Sequence, residues 1–347
     1  MMNVAIPYRA YWSTPFTRWQ GSLAQLHSLR FAADVAKRAL ERRSIDPAAF
    51  DHGVLGMTVP QQGVFYGLPW LMGRLGAAGV AGPTISQACA TGARIVQSAA
   101  SEIAEGRANV ALAIAADRTS NGPHLYYPAP EAPGGTGVHE DWVLDNFSAD
   151  PLTGHAMIRT AENVAARFGI DTAAQNALTL VRYQQYAQAL ADDHAFLKRF
   201  MDLPFEVPDS RGRRTIATLD GDEGIHQTTA EGLAALKPVL DGGTVTFGGQ
   251  THPADGNAAI VLATPERARE LVRMVRQDCG SCHGLTLKGG LGPPLLPETL
   301  REKPVESLRY TVLLGRHGTP MPPWSASMNE AEADWIVRRL IEGVPEE

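Results

Sequence analysis

The chain has 347 residues, 44% apolar and 20% charged, enough for two domains and a sizeable core and ordinary for a soluble globular protein. Its formal net charge of −6 comes without any basic block, which excludes a charge-driven nucleic-acid or anionic-membrane surface, and no run of about 18 apolar residues marks a membrane span. Only three cysteines occur, too few for a disulfide framework, and residues 1–9 hold no basic stretch followed by an apolar one, so no secretory signal is visible and a cytoplasmic location is expected.

In chain order, residues 22–43 read as an amphipathic helix, with Phe31, Val35, Ala36 and Ala39 at helical spacing. Residues 53–59 follow as a short apolar strand. Residues 90–104 are Ala- and Ser-rich and apolar on most sides, which predicts a helix inside the protein. The continuous apolar run 109–116 predicts a strand covered on both faces. Alternation of this kind implies α/β layering with a mostly parallel sheet. Residues 121–156 read as a long loop broken by Pro128, Pro130, Pro133, Gly134, Gly135 and Gly137. Helical patterns return at 158–168 and 172–199. Residues 240–263 read as a turn, a strand, an Asp/Gly-rich loop and a second strand, after which Pro265 opens a helix running towards Cys279. The tail changes character: 284–297 is rich in Gly, Leu and Pro, and 328–342 forms a last helix, with Ser327 and Glu330 as a capping box.

Two constellations carry chemistry. The first is Cys89, in Ile85-Ser86-Gln87-Ala88-Cys89-Ala90-Thr91-Gly92-Ala93. A lone cysteine before an apolar helix reads either as a small core residue or as a nucleophile activated at a helix N-terminus. Around it the chain resembles the thiolase family. The resemblance rests on Thr14-Pro15-Phe16, the Cys89 segment, Ala116-Asp117-Arg118-Thr119-Ser120-Asn121-Gly122-Pro123 and Met157-Ile158-Arg159-Thr160-Ala161-Glu162-Asn163-Val164-Ala165. Residues 228–238, Gly243-Thr244-Val245-Thr246 and Asp255-Gly256-Asn257-Ala258-Ala259 continue it in family order, so that it spans about 3–270. The resemblance implies αβαβα layers and a CoA thioester substrate, with Cys89 taking the acyl group covalently. His155 lies near the position from which the family contacts CoA, offset from Met157 by Ala156. Thiolases are built from two similar halves, and only the first is recognisable here. The second-half histidine of a Gly-His-Pro motif and the second-half cysteine have no counterparts, since Thr251-His252-Pro253 sits in a different context and reads as a loop. An uncovered face on the surviving half also suggests a homodimer through that half.

The second constellation is Cys279-Gly280-Ser281-Cys282-His283, the pattern of a c-type haem attachment site, with a Cys279–Cys282 disulfide as the alternative. Met321, in Gly318-Thr319-Pro320-Met321-Pro322-Pro323-Trp324, lies 38 residues beyond His283 and can supply a second axial ligand or pack in a core; His317 and Met328 are fallback ligands. Gly289-Gly290-Leu291-Gly292-Pro293-Pro294-Leu295 reads as the loop beside the haem or, in rivalry, as a phosphate loop, although no Lys-Ser/Thr ends it. Residues 274–343 thus resemble class I cytochrome c, closest to the small monohaem cytochromes that accompany denitrification enzymes. This implies a small all-α domain, covalent haem c with iron held by His283 and Met321, and a redox partner protein.

The division expected is 1–270, thiolase-like, and 271–347, cytochrome c. The expected function is one-electron transfer by the tail attached to an incomplete acyl-CoA-binding half. The alternatives are a thiolase-type acyltransferase of the acetyl-CoA acetyltransferase kind, using Cys89 with a vestigial tail, or a fused or mis-assembled reading frame. The two parts disagree on compartment, because haem c attachment requires the periplasm.

Overall fold

The computed structural model describes residues 4–7, 9–43, 45–265, 278–325, 328 and 330–344. The helix expected beyond Pro265, the boundary at 270/271 and Ser327 of the capping box lie outside these residues.

One mixed sheet organises residues 4–265. Its strands are β1 (Tyr11–Ser13), β2 (Thr17–Arg18), β3 (His52–Gly56), β4 (Thr84–Ile85), β5 (Val110–Asp117) and, after two hairpins named below, β10 (Ala254–Ala263). The order is β1-β10-β5-β3-β4, with β2 also on β10. β5 alternates its side chains between two cores: Leu112, Ile114 and Ala116 face α1 (Ser28–Arg42) and α2 (Leu68–Leu75), while Ala111 and Ala113 face α3 (Thr91–Ala104). The apolar run thus predicts the strand correctly, because both faces are covered.

The expectation of a mostly parallel sheet holds only for β3 with β4 and β5; β10 runs antiparallel to β5, β1 and β2. Its Asp255-Gly256 segment is strand rather than loop, with Gly256 opposite Asp117. A Cβ at Gly256 would come within 2.6 Å of the Phe16 ring, so the strand passes there only as glycine.

The loop expected at 121–156 contains a hairpin, β6 (His124–Tyr127) with β7 (Val138–Asp141), and a short helix, α4 (Leu144–Ser148). The Pro/Gly cluster forms only the hairpin's connection. α5 (Met157–Phe168) matches its pattern, whereas α6 (Thr172–Ala189) stops ten residues short of 199 because Asp192, Asp193 and His194 adopt positive φ. The β8 (Phe205–Pro208) and β9 (Thr215–Leu219) hairpin and α7 (Ala230–Ala234) follow.

α3 departs from expectation in an instructive way. It buries Thr91, Ile95, Ala99 and Ile103 against the sheet, and its opposite side, including Gly92, Ala93, Arg94 and Gln97, is exposed. A helix whose composition suits full burial is covered on one side only.

The tail is helical: α8 (Gly280–His283), α9 (Pro297–Leu300), α10 (Val305–Leu314) and α11 (Glu330–Glu342). It has its own core of Leu287, Leu300, Val312, Met328, Ala333, Ile336, Val337 and Leu340. Burying side chains of this kind is worth about 1.5–3 kcal/mol each relative to exposure. Among the described residues no helix is long and apolar enough to cross a membrane.

Candidate functional sites

Cys89 stands on the turn between β4 and α3, an exposed free thiol two residues before Thr91 opens the helix. Ala88 holds the left-handed conformation (φ 43°) that throws the chain outward. Thr91 pins the turn: its Oγ1 accepts from Gln87 N–H at 2.8 Å and donates to the Ala88 carbonyl at 2.7 Å. Behind it, Gly56 has no side chain because a Cβ would come 2.8 Å from Thr91 Cγ2.

The histidines are placed elsewhere. His27 bonds the Gln62 carbonyl, and His124 bonds His139 on the β6–β7 hairpin. His155 is exposed in a turn where its carbonyl accepts from Asp150 N–H at 3.0 Å. His252 lies in the loop before β10, packed against Gly224, where a Cβ would meet its Cε1 at 2.9 Å. Cys89 is presented to the surface with its turn rigidly held.

In the tail the expected groups converge. A cavity of about 300 Å³ is lined by Cys279, Cys282, His283 and Met321, with Leu291, Leu295, Leu300, Val312, Trp324, Ile336 and Leu340 supplying most of the wall. The cysteines are both free thiols rather than a disulfide. Cys279 caps α8 while Cys282 and His283 lie within it, and all three line the cavity. Burial pushes the Cys279 thiol up to about 11, and the neighbouring Asp278 carboxylate adds to the effect.

His283 is buried, and its Nδ1 lies 2.6 Å from the Pro293 carbonyl oxygen. A carbonyl only accepts, so Nδ1 carries the proton and Nε2 keeps its lone pair, the arrangement that suits a metal-ligating imidazole. Gly292 makes room for that ring: a Cβ there would come 2.5 Å from His283 Cε1.

The Met321 loop, which also lines the cavity, crosses itself closely. Arg316 N–H donates to the Met321 carbonyl at 3.1 Å, and a Cβ at Gly315 (φ 70°) would lie 2.7 Å from the Pro322 carbonyl carbon. Of the three ligand candidates only Met321 faces the cavity; His317 is exposed and Met328 is buried in the helical core.

The donor set fits a haem. Two thiols can take two vinyl groups, an imidazole and a thioether can take two axial positions, and the wall is apolar. The Gly289–Leu295 stretch serves His283, by the Pro293 carbonyl and the Gly292 gap, rather than a phosphate. Sequence reasoning placed this loop beside the haem but missed the role of the Pro293 carbonyl, because a backbone acceptor leaves no residue-type signal.

Two families of known proteins match successive parts of the chain. The family described as "Thiolase, N-terminal domain" matches residues 10–266, and "Cytochrome C oxidase, cbb3-type, subunit III" matches residues 266–338. Acetyl-CoA acetyltransferase 1 of Arabidopsis thaliana is 30% identical over 267 residues, covering 74% of this chain and 62% of that protein. Cytochrome c55X of Pseudomonas aeruginosa is 61% identical over 77 residues, 22% of this chain and 65% of that protein. The chain therefore spans less than two thirds of the length of either relative. The crystal structure of the Bacillus anthracis acetyl-CoA acetyltransferase superposes with a TM-score of 0.66 at 25% identity over 78% of this chain and 67% of that one. Human mitochondrial 3-ketoacyl-CoA thiolase, at 24% identity and a TM-score of 0.67, shares the fold.

Proposed function

Since the chain belongs to the thiolase family over residues 10–266 and continues as a cytochrome c-like domain, we propose that its working site is in the tail, where it holds a covalent haem c and passes single electrons to a redox partner protein. The observation that carries this reading is the meeting of Cys279, Cys282, His283 and Met321 on one apolar cavity. Each thiol would add across a haem vinyl group, sulfur bonding to one carbon and the thiol proton passing to the other, so that attachment consumes no oxidant. His283 would bind the iron through Nε2, oriented by Pro293, and Met321 through its sulfur, a pairing that raises the reduction potential. Bound there, haem supplies a one-electron Fe(II)/Fe(III) couple. The apolar wall would exclude water from a haem bound there.

In the same reading the thiolase-like half is an acyl-CoA-binding scaffold. Cys89, exposed and held by Thr91, accepts an acyl group from a CoA thioester, and the second-half base needed for carbon–carbon bond formation is missing. A homodimer through this half would cover some of its exposed apolar residues, such as Phe65 (92%) and Leu152 (91%). Haem attachment puts the working protein in the periplasm, whereas acyl transfer from CoA belongs in the cytoplasm.

The test is the full chain produced in a host with c-type maturation machinery. A haem that survives denaturing electrophoresis and gives a pyridine haemochrome is expected, and colourless protein overturns the proposal. Cell fractionation of the same culture reports the compartment. The second reading, acyl transfer by Cys89, gains support if radiolabelled acetyl-CoA marks the chain and Cys89→Ala abolishes the mark.

A further inference from the structure

The β6–β7 hairpin carries a side-chain cluster that neither Cys89 nor the tail's cavity uses. Antiparallel pairing sets His124 opposite Asp141 and Tyr126 opposite His139. Side chains alternate along a strand, so His124, Tyr126, His139 and Asp141 share one face. Glu140 belongs to the other and accepts from Asn146 Nδ2 at 2.7 Å. Both imidazoles are exposed. Their facing nitrogens, His124 Nδ1 and His139 Nε2, are 3.2 Å apart, with the rings 21° from parallel. Two neutral imidazoles at that distance share one hydrogen, carried by either nitrogen.

The distance and the surroundings both suit a shared cation. A tetrahedral ion bound at the ordinary zinc–nitrogen length of about 2.0–2.1 Å spans neighbouring donors about 3.3 Å apart, so the two nitrogens already stand at the bite of one ion. The last torsion of a histidine is broad, so exposed rings turn their lone pairs towards an ion beside them at little cost. His124 is also backed by a carboxylate, its Nε2 lying 3.9 Å from Asp141 Oδ2. Asp141 is itself held: its Oδ1 accepts from Leu144 N–H at 2.9 Å and Val143 N–H at 3.0 Å. These bonds, led by that from Leu144, keep its carboxyl below the ordinary aspartate range. A fixed carboxylate beside one imidazole nitrogen favours the proton there and leaves the other nitrogen its lone pair, as behind metal-bound histidines.

Among the described residues no three or more His, Cys, Asp or Glu form a group able to hold a metal ion. The site is therefore a two-nitrogen chelate whose other positions are filled by water. Neutral imidazole selects borderline ions, Zn(II), Ni(II) and Cu(II), over Mg(II) and Ca(II), which take oxygen. We infer that His124 and His139 bind one divalent transition-metal ion of this class, with Asp141 as the positioning residue of His124. The inference does not depend on the haem reading. A bound ion ties β6 to β7 across their register, which matters because a two-stranded hairpin is marginal by itself in water.

The experiment is a calorimetric Zn(II) titration of the full chain carrying Cys279→Ala and Cys282→Ala, which removes the competing thiols of the tail. The same background carries His124→Gln, His139→Gln, Asp141→Asn or, as a control, His155→Gln; His155 is exposed and off the hairpin. One equivalent of zinc is expected that either hairpin histidine variant loses and His155→Gln keeps. Asp141→Asn retains the backbone acceptor and the equivalent, at about 10- to 100-fold weaker affinity. In the long-range 1H–15N spectrum, Zn(II) should shift His124 Nδ1 and His139 Nε2 together and leave His155 in place, whereas Mg(II) should shift neither. Zinc uptake that persists in both histidine variants is adventitious and overturns the site, as does a parent that takes up none or one that responds equally to Mg(II). Unchanged affinity in Asp141→Asn overturns the positioning role. Each of these results leaves the haem reading standing.

Discussion

The two parts of this chain make opposite trades between fold and site. Residues 10–266 match a thiolase domain, and the layers are well formed, with β5 buried between α1 and α2 on one side and α3 on the other. Yet one side of α3 is exposed and Cys89 stands at the surface. The tail is under a third as long, and it brings Cys279, Cys282, His283 and Met321 onto one cavity. The difference lies in how each site is distributed along the sequence. A site assembled from two domain halves disappears with either one, however faithfully the other folds. A site whose attachment motif and distal ligand lie 38 residues apart travels intact with a short segment. Fold similarity and functional completeness are separate properties, and under the reading proposed above the longer match is the less complete one.

The sharpest way to break this contrast is to attack the tail's attachment points. Cys279→Ala with Cys282→Ala should abolish covalent haem completely, read as the loss of haem staining on a denaturing gel. Loss of either thioether alone should leave a single-linked haem, seen as a shifted pyridine haemochrome band. Met321→Ala comes next in size: the haem stays attached, and the reduction potential drops as the thioether is lost. His317→Ala and Met328→Ala should leave that potential unchanged, because neither residue lines the cavity. If Met328→Ala, and not Met321→Ala, moves the potential, the loop around Met321 has been misassigned.

The ease of naming these residues from sequence has a physical basis. Cys279, Cys282, His283 and Met321 are chemically distinctive types at diagnostic spacing, so covalent chemistry leaves a written pattern. The support around them does not. The Pro293 carbonyl is an acceptor any residue could supply, and Gly292 is defined by the ring it avoids. Similar reasoning separates β5 from β10. β5 was legible because both of its faces are apolar, whereas the Asp-Gly in β10 carries a loop signature that antiparallel pairing with β5 overrides. α2 escaped notice because it is short, although Pro69 in its first turn and a left-handed Gly76 at its end are recognisable stop signs in retrospect.

On the thiolase side the contrast predicts a half-reaction without turnover. Acetyl-CoA should acetylate Cys89 slowly and stoichiometrically, measured by intact mass. Acetoacetyl-CoA formation should fall at least ~100-fold below that of a complete thiolase, since a positioned base alone contributes about 10²–10⁴. Sustained condensation by purified chain would show that some other residue replaces the missing base, and the comparison drawn above would collapse. Gly292→Ala gives a smaller, structural effect in the tail. Its Cβ would collide with His283, so the domain should lose about 1–3 kcal/mol in denaturant unfolding, and haem loading should weaken with it.

The smallest effect tests whether the thiolase-like half is a real scaffold or a remnant. Glu162 on α5 is buried, and its carboxylate accepts from Val245 N–H at 2.8 Å, Thr244 N–H at 2.8 Å and Thr244 Oγ1 at 3.0 Å, which ties α5 to the 244–245 segment. These bonds, led by that from Val245, hold its pKa below the ordinary glutamate value. A depressed acid stabilises the fold above its unfolded pKa, and the contribution disappears as pH falls through the depressed value. Glu162→Ala should therefore cost about 2 kcal/mol at pH 7, as expected for losing hydrogen bonds to a charged acceptor. The gap between variant and parent should narrow towards pH 3, followed by urea unfolding across that range. A gap that is absent at pH 7 would mean that α5 no longer depends on this link, and that this half has drifted from the packing that defines its family.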